Sequence, residues 1–299
     1  MSHLGSLIRR NMKIFYRTKG NIIFASLSVI ILVALHFMIF RNMYTDSWVE
    51  ITAQFPGLVI ERSQLVWVVD NLMFSAIIPI GAVSISLVAL GLMVSDKETN
   101  VLSDFMVAPI RRNVLLASYL ISSLLVGFMI LLAFLAFFGI FFFVVYGVGF
   151  TLPQFGLILL ATLGSLVFSN VFMLLIITFV KSQQSLGAIG TILGTLMGFI
   201  SGAYIPVGMF GKVVSDILNA LPFLQITVLV RQAFLYNLEA VTPLTHEMIS
   251  GEIARSFGME VWLGGTQVSL WAAALTSGAV TLVLLLCLIV RFVRIRKSD

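Results

Sequence analysis

Residues 187–234 read GAIGTILGTLMGFISGAYIPVGMFGKVVSDILNALPFLQITVLVRQAF. The first part is an apolar helix in which Gly190, Gly194, Gly198 and Gly202 recur every four residues. In water each glycine would weaken such a helix by about 1 kcal/mol relative to alanine. In a bilayer the same small residues let a second helix backbone come close. Pro206, Gly208, Gly211 and Pro222 then break the run, which stays mostly apolar while holding Lys212, Asp216 and Arg231. A tightly packing helix that feeds a kinked, partly polar segment at a membrane face reads as a working part. The four laddered glycines, Pro206, Pro222 and Arg231 are its packing and gate residues.

The chain has 299 residues, 60% of them hydrophobic and only 10% charged, with a mean hydropathy of +1.09. Soluble globular chains carry about 25% charged residues. Several uncharged runs here approach the roughly 20 residues that cross a bilayer. The fold class is therefore an all-α polytopic membrane protein. A net charge of +5 does not point to nucleic acid, because the basic residues sit in short clusters beside apolar runs, where membrane topology requires them. The single cysteine, Cys287, lies within an apolar run and has no intrachain partner for a disulfide.

Leu4, Leu7, Ile8, Met12 and Phe15 fall near helical spacing among basic residues, so residues 1–20 form an amphipathic surface helix. The run 21–40 is too long for a signal peptide, and Arg41 follows it instead of small cleavage-site residues. It is the first span. Further spans read as 71–94, 114–146, 157–180, 186–204 and 268–290, giving six transmembrane helices. Between them lie a polar loop at 41–70, a charged loop at 95–113, two short turns, and a long region at 205–267. Six spans put both termini on one side. That side carries 13 Lys and Arg against 5 on the other, so the positive-inside rule places the N and C termini in the cytoplasm.

No catalytic or nucleotide site is legible. GMFGK at 208–212 lacks the spacing and the following hydroxyl of a phosphate-binding loop, so no nucleotide-binding domain, enzyme activity or bound cofactor is expected in this chain. His3, His36 and His246 are far apart and show no metal-ligand spacing. The central parts of the spans lack Asp, Glu, Lys and Arg, which weighs against an ion-coupled secondary transporter. A lipid-modifying membrane enzyme would need a polar cluster at a membrane face, and none stands out. These two classes are the alternatives. Asn170 beside Ser169 is the main polar intrusion, and reads either as an interhelical hydrogen bond or as path lining.

A large membrane protein without its own energy source borrows energy from a partner. In residues 95–113, Val101, Leu102, Phe105, Met106 and Ile110 gather on one face of a short helix. Asp96, Lys97, Glu98 and Asp104 supply polar contacts, and Pro109 ends the helix before Arg111 and Arg112. The segment reads either as a helix that docks on a cytosolic protein or as an interfacial turn.

On these residues the chain resembles the membrane subunit of an ATP-binding-cassette exporter of the ABC-2 type (type V fold). The likeness rests on the basic amphipathic N-terminal helix, on DKETNVLSDFMVAPIRRNVLLASYL at 96–120, and on SGAYIPVGMFGKVVSDILNALPFLQITVLVRQAF at 201–234. It implies a single transmembrane domain over 1–299, with Glu98, Leu102, Asp104, Phe105, Pro109, Arg111 and Arg112 in the element that touches a separate ABC ATPase. It implies that 205–236 forms re-entrant external helices before the last span. A second permease, identical or homologous, would complete a dimer around a central path. ATP and magnesium would bind the partner ATPase and not this chain. The scarcity of charge along the spans suits an amphiphilic cargo (a drug, peptide or lipid-like molecule) exported across a bacterial cytoplasmic membrane, among membrane lipids.

Overall fold

The computed structural model of the protein describes residues 3–54, 59–107, 111–249 and 251–295. Its helices are α1 (His3–Arg17), α2 (Lys19–Leu35), α3 (Arg41–Thr52), α4 (Arg62–Glu98), α5 (Val101–Val107), α6 (Arg112–Tyr146), α7 (Leu152–Ile177), α8 (Gln183–Ile200), α9 (Lys212–Ala220), α10 (Pro222–Phe234), α11 (Leu238–Val241), α12 (Glu252–Ser256) and α13 (Leu270–Ile295). An antiparallel hairpin of β1 (Val261–Leu263) and β2 (Thr266–Val268) precedes α13.

The helix α4 is the axis of the bundle. It packs on α2, α3, α6, α7, α8 and α10, and 72% of its most apolar window is buried, against 17% for α13. A helix enclosed on most sides needs no polar face, and residues 67–83 of α4 are buried without interruption. Phe74 at its middle stacks on Phe138 of α6, with ring centroids 4.4 Å apart, and meets Phe37 edge-on at 6.2 Å. By contrast α13 exposes Leu275, Leu282 and Leu286, the pattern of a helix facing lipid.

Five helical rods are long and apolar enough to cross a membrane: α2 with α3, then α4, α6, α7 and α13. The sixth crossing expected from the sequence falls on α8. That helix has 18 residues, about 27 Å against roughly 30 Å of hydrocarbon. It nevertheless runs the whole bundle. Gln183 at its start bonds Glu98 and Gly91 near the end of α4, whereas Gly202 just past its end shares a small cavity with Val69, Leu72 and Met73 of α4.

The pair α9–α10 is bent by 80° at Leu221, and Pro222 starts α10 with the fixed φ that suits a first helical turn. Arg291 of α13 lies 3.7 Å over the ring of Phe179, just past α7, so α13 ends where α4 and α7 end and α8 begins. The segment between α8 and α13 must therefore start and finish at the opposite end, called here the far end. Phe223 meets Phe168 and Phe172 deep along α7 at 4.8 and 5.0 Å, while Phe234 meets Phe150 just before α7 at 5.6 Å. The helix α10 thus rises from inside the bundle back to the far end. It is re-entrant, as expected.

Two sequence expectations change. The loop placed at 41–70 is mostly helix: α3 prolongs the first rod to Thr52, and α4 starts at Arg62 instead of residue 71. The polar residues that broke the hydropathy pattern there belong to helices, and several are paired, as Arg41 with Asp70 and Arg62 with Asp46. The polar stretch after residue 237 is also not plain loop. It holds α11, α12 and the hairpin, whose two-residue turn Gly264–Gly265 has φ of +59° and +87°, the positive values that such tight hairpin turns require.

Candidate coupling and gate sites

Three consecutive residues at the end of α4 reach three different parts of the bundle, because successive helical side chains point about 100° apart. Asp96 accepts both Nη1 and Nη2 of Arg10 in α1, at 2.7 and 2.8 Å, and the hydroxyl of Tyr119 in α6. Lys97 Nζ donates to Ile177 O and Val180 O at the end of α7, at 2.9 and 3.4 Å, where a cation suits the exposed carbonyls. Glu98 accepts the backbone N–H of Gln183 at the start of α8, at 3.1 Å. This hub ties α1, α6, α7 and α8 to the last turn of α4. The bond to Asp96 raises the pKa of Arg10 above its ordinary value, so the guanidinium stays charged.

The expected coupling helix is α5, which follows after Asn100 at φ +63°, a left-handed position that asparagine tolerates. Leu102 and Phe105 are half-buried and pack inward on the core, and the guanidinium of Arg10 sits 5.1 Å over the Phe105 ring. Asp104 is exposed. The apolar face read from the sequence therefore turns partly toward the protein's own bundle, and Asp104 is left to face outward. Pro109 lies outside the described residues, as does Ile110, and nothing is described for the side chain of Met106. Arg111 stands at the N-cap of α6, which begins with Arg112. The helix α1 is not simply a surface helix: Leu7, Asn11 and Phe15, at four-residue spacing, are buried, and α1 packs against α6.

A second clamp sits near the start of α4, and the sequence reading missed it. Asp70 is fully buried. It bonds His36 Nε2 at 2.7 Å, Arg41 Nε and Nη2 at 3.1 and 3.0 Å, and the Tyr146 hydroxyl. Tyr146 also accepts from Arg41 at 2.8 Å. Both ends of α4 thus carry the same pattern, an Asp held by an Arg from the N-terminal rods and a Tyr from α6. His36 opens a π-helical turn, His36–Phe40, a distortion that often marks working sites. The signal available in the sequence was Arg41 directly after an apolar run and Asp70 directly before one. Such residues pair when the helices extend past the apolar stretch.

At the far end Arg231 is 2% exposed and has no carboxylate partner among the described residues. Its guanidinium donates instead to three carbonyls: Ser201 O at 2.7 Å, Phe257 O at 2.9 Å and Gly258 O at 2.8 Å. Ser201 caps α8, and Phe257 and Gly258 follow α12, so one side chain of α10 stitches three segments together. Gly258 has φ +62°, and a Cβ there would lie 2.5 Å from Arg231 Nη1. Pro206 and Tyr44 line the same small cavity, and the Tyr44 hydroxyl donates to Tyr204 O at 3.0 Å.

The laddered glycines do different jobs. A Cβ on Gly190 would come 2.7 Å from Leu87 of α4, so this one is a close helix–helix approach. Gly198 carries the ring of Tyr204 where its Cβ would be. Gly202, at φ +67°, ends α8: Ala203 N–H reaches Gly198 O at 3.0 Å and Gly202 N–H reaches Phe199 O at 3.1 Å, the paired bonds of a Schellman cap. Gly194 meets no atom within 4 Å. Within one copy of the chain the ladder is not a single packing stripe. Asn170 is fully buried, but its Nδ2 donates to Leu166 O of its own helix at 3.0 Å and its Oδ1 has no partner. It bridges no helices within one copy.

This architecture defines a class: a multi-pass helical membrane protein with a polar hub at one end and a re-entrant helix pair at the other. Residues 2–235 match the family model described as ABC-2 type transporter, a match that runs from α1 through α10 and covers both clamps. The chain belongs to the ABC-2 type transporter family and is a permease component of an ABC transporter, and family membership implies partnership with an ABC ATPase. No curated protein and no solved structure matches the chain.

Proposed function

We propose that this chain is the membrane half of an ABC exporter that moves an amphiphilic molecule outward, driven by ATP and magnesium bound to a separate ATPase. The observation that carries the reading is the hub at Asp96, Lys97 and Glu98. It makes the loop that carries α5 mechanically continuous with α1, α6, α7 and α8, so a push on α5 reaches the helix that leads to the re-entrant pair. The basic clusters around α1 and the end of α13 support a cytoplasmic position for that loop, and the bacterial cytoplasmic membrane is the setting this reading adopts. Asp70, the buried carboxylate on which the ion-coupled alternative would draw, is bonded to Arg41 and His36.

The test is ATP hydrolysis and export by the complex of this chain with the ABC ATPase that copurifies with it. Phe105→Ala and Asp104→Arg should each lower cargo-stimulated hydrolysis about tenfold or more, within the 5–150-fold range of typical site-to-site coupling, with membrane insertion unchanged. Normal stimulation and export in both variants would remove α5 from the mechanism.

The exporter reading also calls for a second copy. The side of α8 that carries Thr191, Ile192, Thr195 and Leu196 is exposed, and Gly194 borders it with open space around it, which suits close approach by another helix. Gly190→Leu should destabilise the single chain, because its side chain runs into Leu87. Gly194→Leu should leave the single chain's melting temperature unchanged yet reduce the dimer fraction in detergent severalfold. An unchanged dimer fraction would take this face out of the interface.

A further inference from the structure

Between the end of α7 and the start of α8 lies a groove of about 490 Å³, lined by Leu175, Ile176, Phe179, Val180, Lys181, Ser185 and Ile189. Its volume falls in the range of small-molecule sites, roughly 300–1,000 Å³. Its walls are apolar, and Phe179 is largely exposed within it. Three cations gather at its mouth. Lys181 lines the groove. The guanidinium of Arg291 lies 3.7 Å over the Phe179 ring, and its Nε is buried without a hydrogen-bond partner. Lys97 is beside them, donating to Ile177 O and Val180 O.

None of the three has a carboxylate within ion-pair distance among the described residues. The nearby Glu98 is engaged with the backbone of Gln183. Ser185, with its hydroxyl 3.0 Å from that of Ser182, adds a polar group at the same mouth. Unneutralised positive charge above an apolar slot, at a helix-bundle edge, is what a lipid phosphate with its acyl chains complements.

We infer that this groove is a binding site for one anionic phospholipid of the leaflet at the basic end. The phosphate sits between Lys181 and Arg291, the first part of an acyl chain lies against Phe179 and Ile189, and the rest continues into the bilayer. Lys97 contributes field from behind while it caps α7. The inference stands apart from the direction of transport and from the cargo. It concerns a resident lipid that staples α7, α8 and α13 at the end where the hub operates. The apolar walls favour lipid over an acidic protein surface, which would cover the cations but leave the slot empty.

The experiment is native mass spectrometry of the full chain released from detergent carrying phosphatidylglycerol or phosphatidylcholine at equal concentration. With about 1 kcal/mol of attraction per basic residue near the headgroup, phosphatidylglycerol should be retained, one per chain, about thirtyfold more strongly than phosphatidylcholine. Lys181→Ala should lower that preference about fivefold, and Lys181→Ala with Arg291→Gln should abolish it. Ile189→Trp, which fills the slot and leaves the charges, should also weaken retention. Lys13→Ala, an exposed basic residue on α1, should not change it. Equal retention of both lipids, or equal effects of the Lys13 and Lys181 variants, would overturn the proposal. So would full competition by glycerol 3-phosphate, which would mark a bare anion site. Loss of ATPase binding in the Lys181 variants without loss of lipid would instead assign the cations to a protein contact.

Discussion

Replacing Arg231 with methionine should unfold the far end of the protein first. The substitution keeps the length and apolar stem of the side chain but leaves Ser201 O, Phe257 O and Gly258 O without their donor. A buried acceptor left without its donor costs roughly 1–3 kcal/mol, and here three carbonyls are left at once with neither water nor partner, so the loss is several kcal/mol. For a chain of this size that corresponds to a fall in melting temperature of about 10 °C. Hydrogen exchange should show early opening in α9, α12 and the β1–β2 hairpin, with α4 and α6 still protected. Arg231→Lys should recover little, since a single ammonium cannot reach three carbonyls arranged around a planar fork. Gly258→Ala should act in the same direction and more mildly, as the new Cβ pushes on the Arg231 guanidinium. A melting temperature unchanged by Arg231→Met would show that the three segments hold together without this side chain.

The second large effect is functional. Asp96→Asn should reduce cargo-stimulated ATP hydrolysis about thirtyfold while lowering stability only modestly. The amide cannot accept both guanidinium nitrogens of Arg10 as the carboxylate does, so Arg10 is no longer held over Phe105. The stability loss is small because Arg10 is 27% exposed and can return to water. The coupling loss is large because the same contact fixes α1, α6 and α5 together. Reversing the pair, with Arg10→Asp and Asp96→Arg, should restore part of the coupling, the sign that two residues act through each other. The pH dependence follows from the raised pKa of Arg10. A group whose pKa is raised on folding gives stability that is present below its ordinary value and is lost only as pH rises through the higher folded value. Coupling should therefore persist undiminished to pH 9 or above as far as Arg10 is concerned. Loss of coupling between pH 7 and 9 that moves to still lower pH in the Arg10→Lys variant, whose ammonium gives up its proton more readily than a guanidinium, would contradict that assignment.

The crossings, the re-entrant pair and the loop at 95–113 were legible because hydropathy, proline and glycine act locally. Pro222 after Leu221 marks the bend of α9–α10 in any context. The helix α4 as bundle axis was not legible, since a helix that is apolar all round looks the same whether it meets protein or lipid. The Asp70 clamp was hidden for the related reason that Arg41 and Asp70 each flank an apolar run, and loop and paired helix end share that pattern. The glycine spacing was read as a device for close helix approach; within one copy of the chain Gly190 serves that role, while Gly194, Gly198 and Gly202 do not. Leu87, the Tyr204 ring, a left-handed cap and an open face cannot be told apart from a four-residue repeat. Arg231 looked anomalous in an apolar segment. The carbonyls that neutralise it come from residues 201, 257 and 258, which only the folded chain brings together. The hairpin had a signal, Gly264–Gly265 between Val261–Leu263 and Thr266–Val268, too short to stand out beside the spans.

The central claim is that energy enters at α5 from an ABC ATPase. A photoreactive residue at position 104, where Asp104 is exposed, should crosslink to the ATPase chain in membranes that contain the assembled complex. The same residue at position 213, on the exposed face of α9, should not. A crosslink to the ATPase from position 213 and none from 104 would invert the topology and contradict the account.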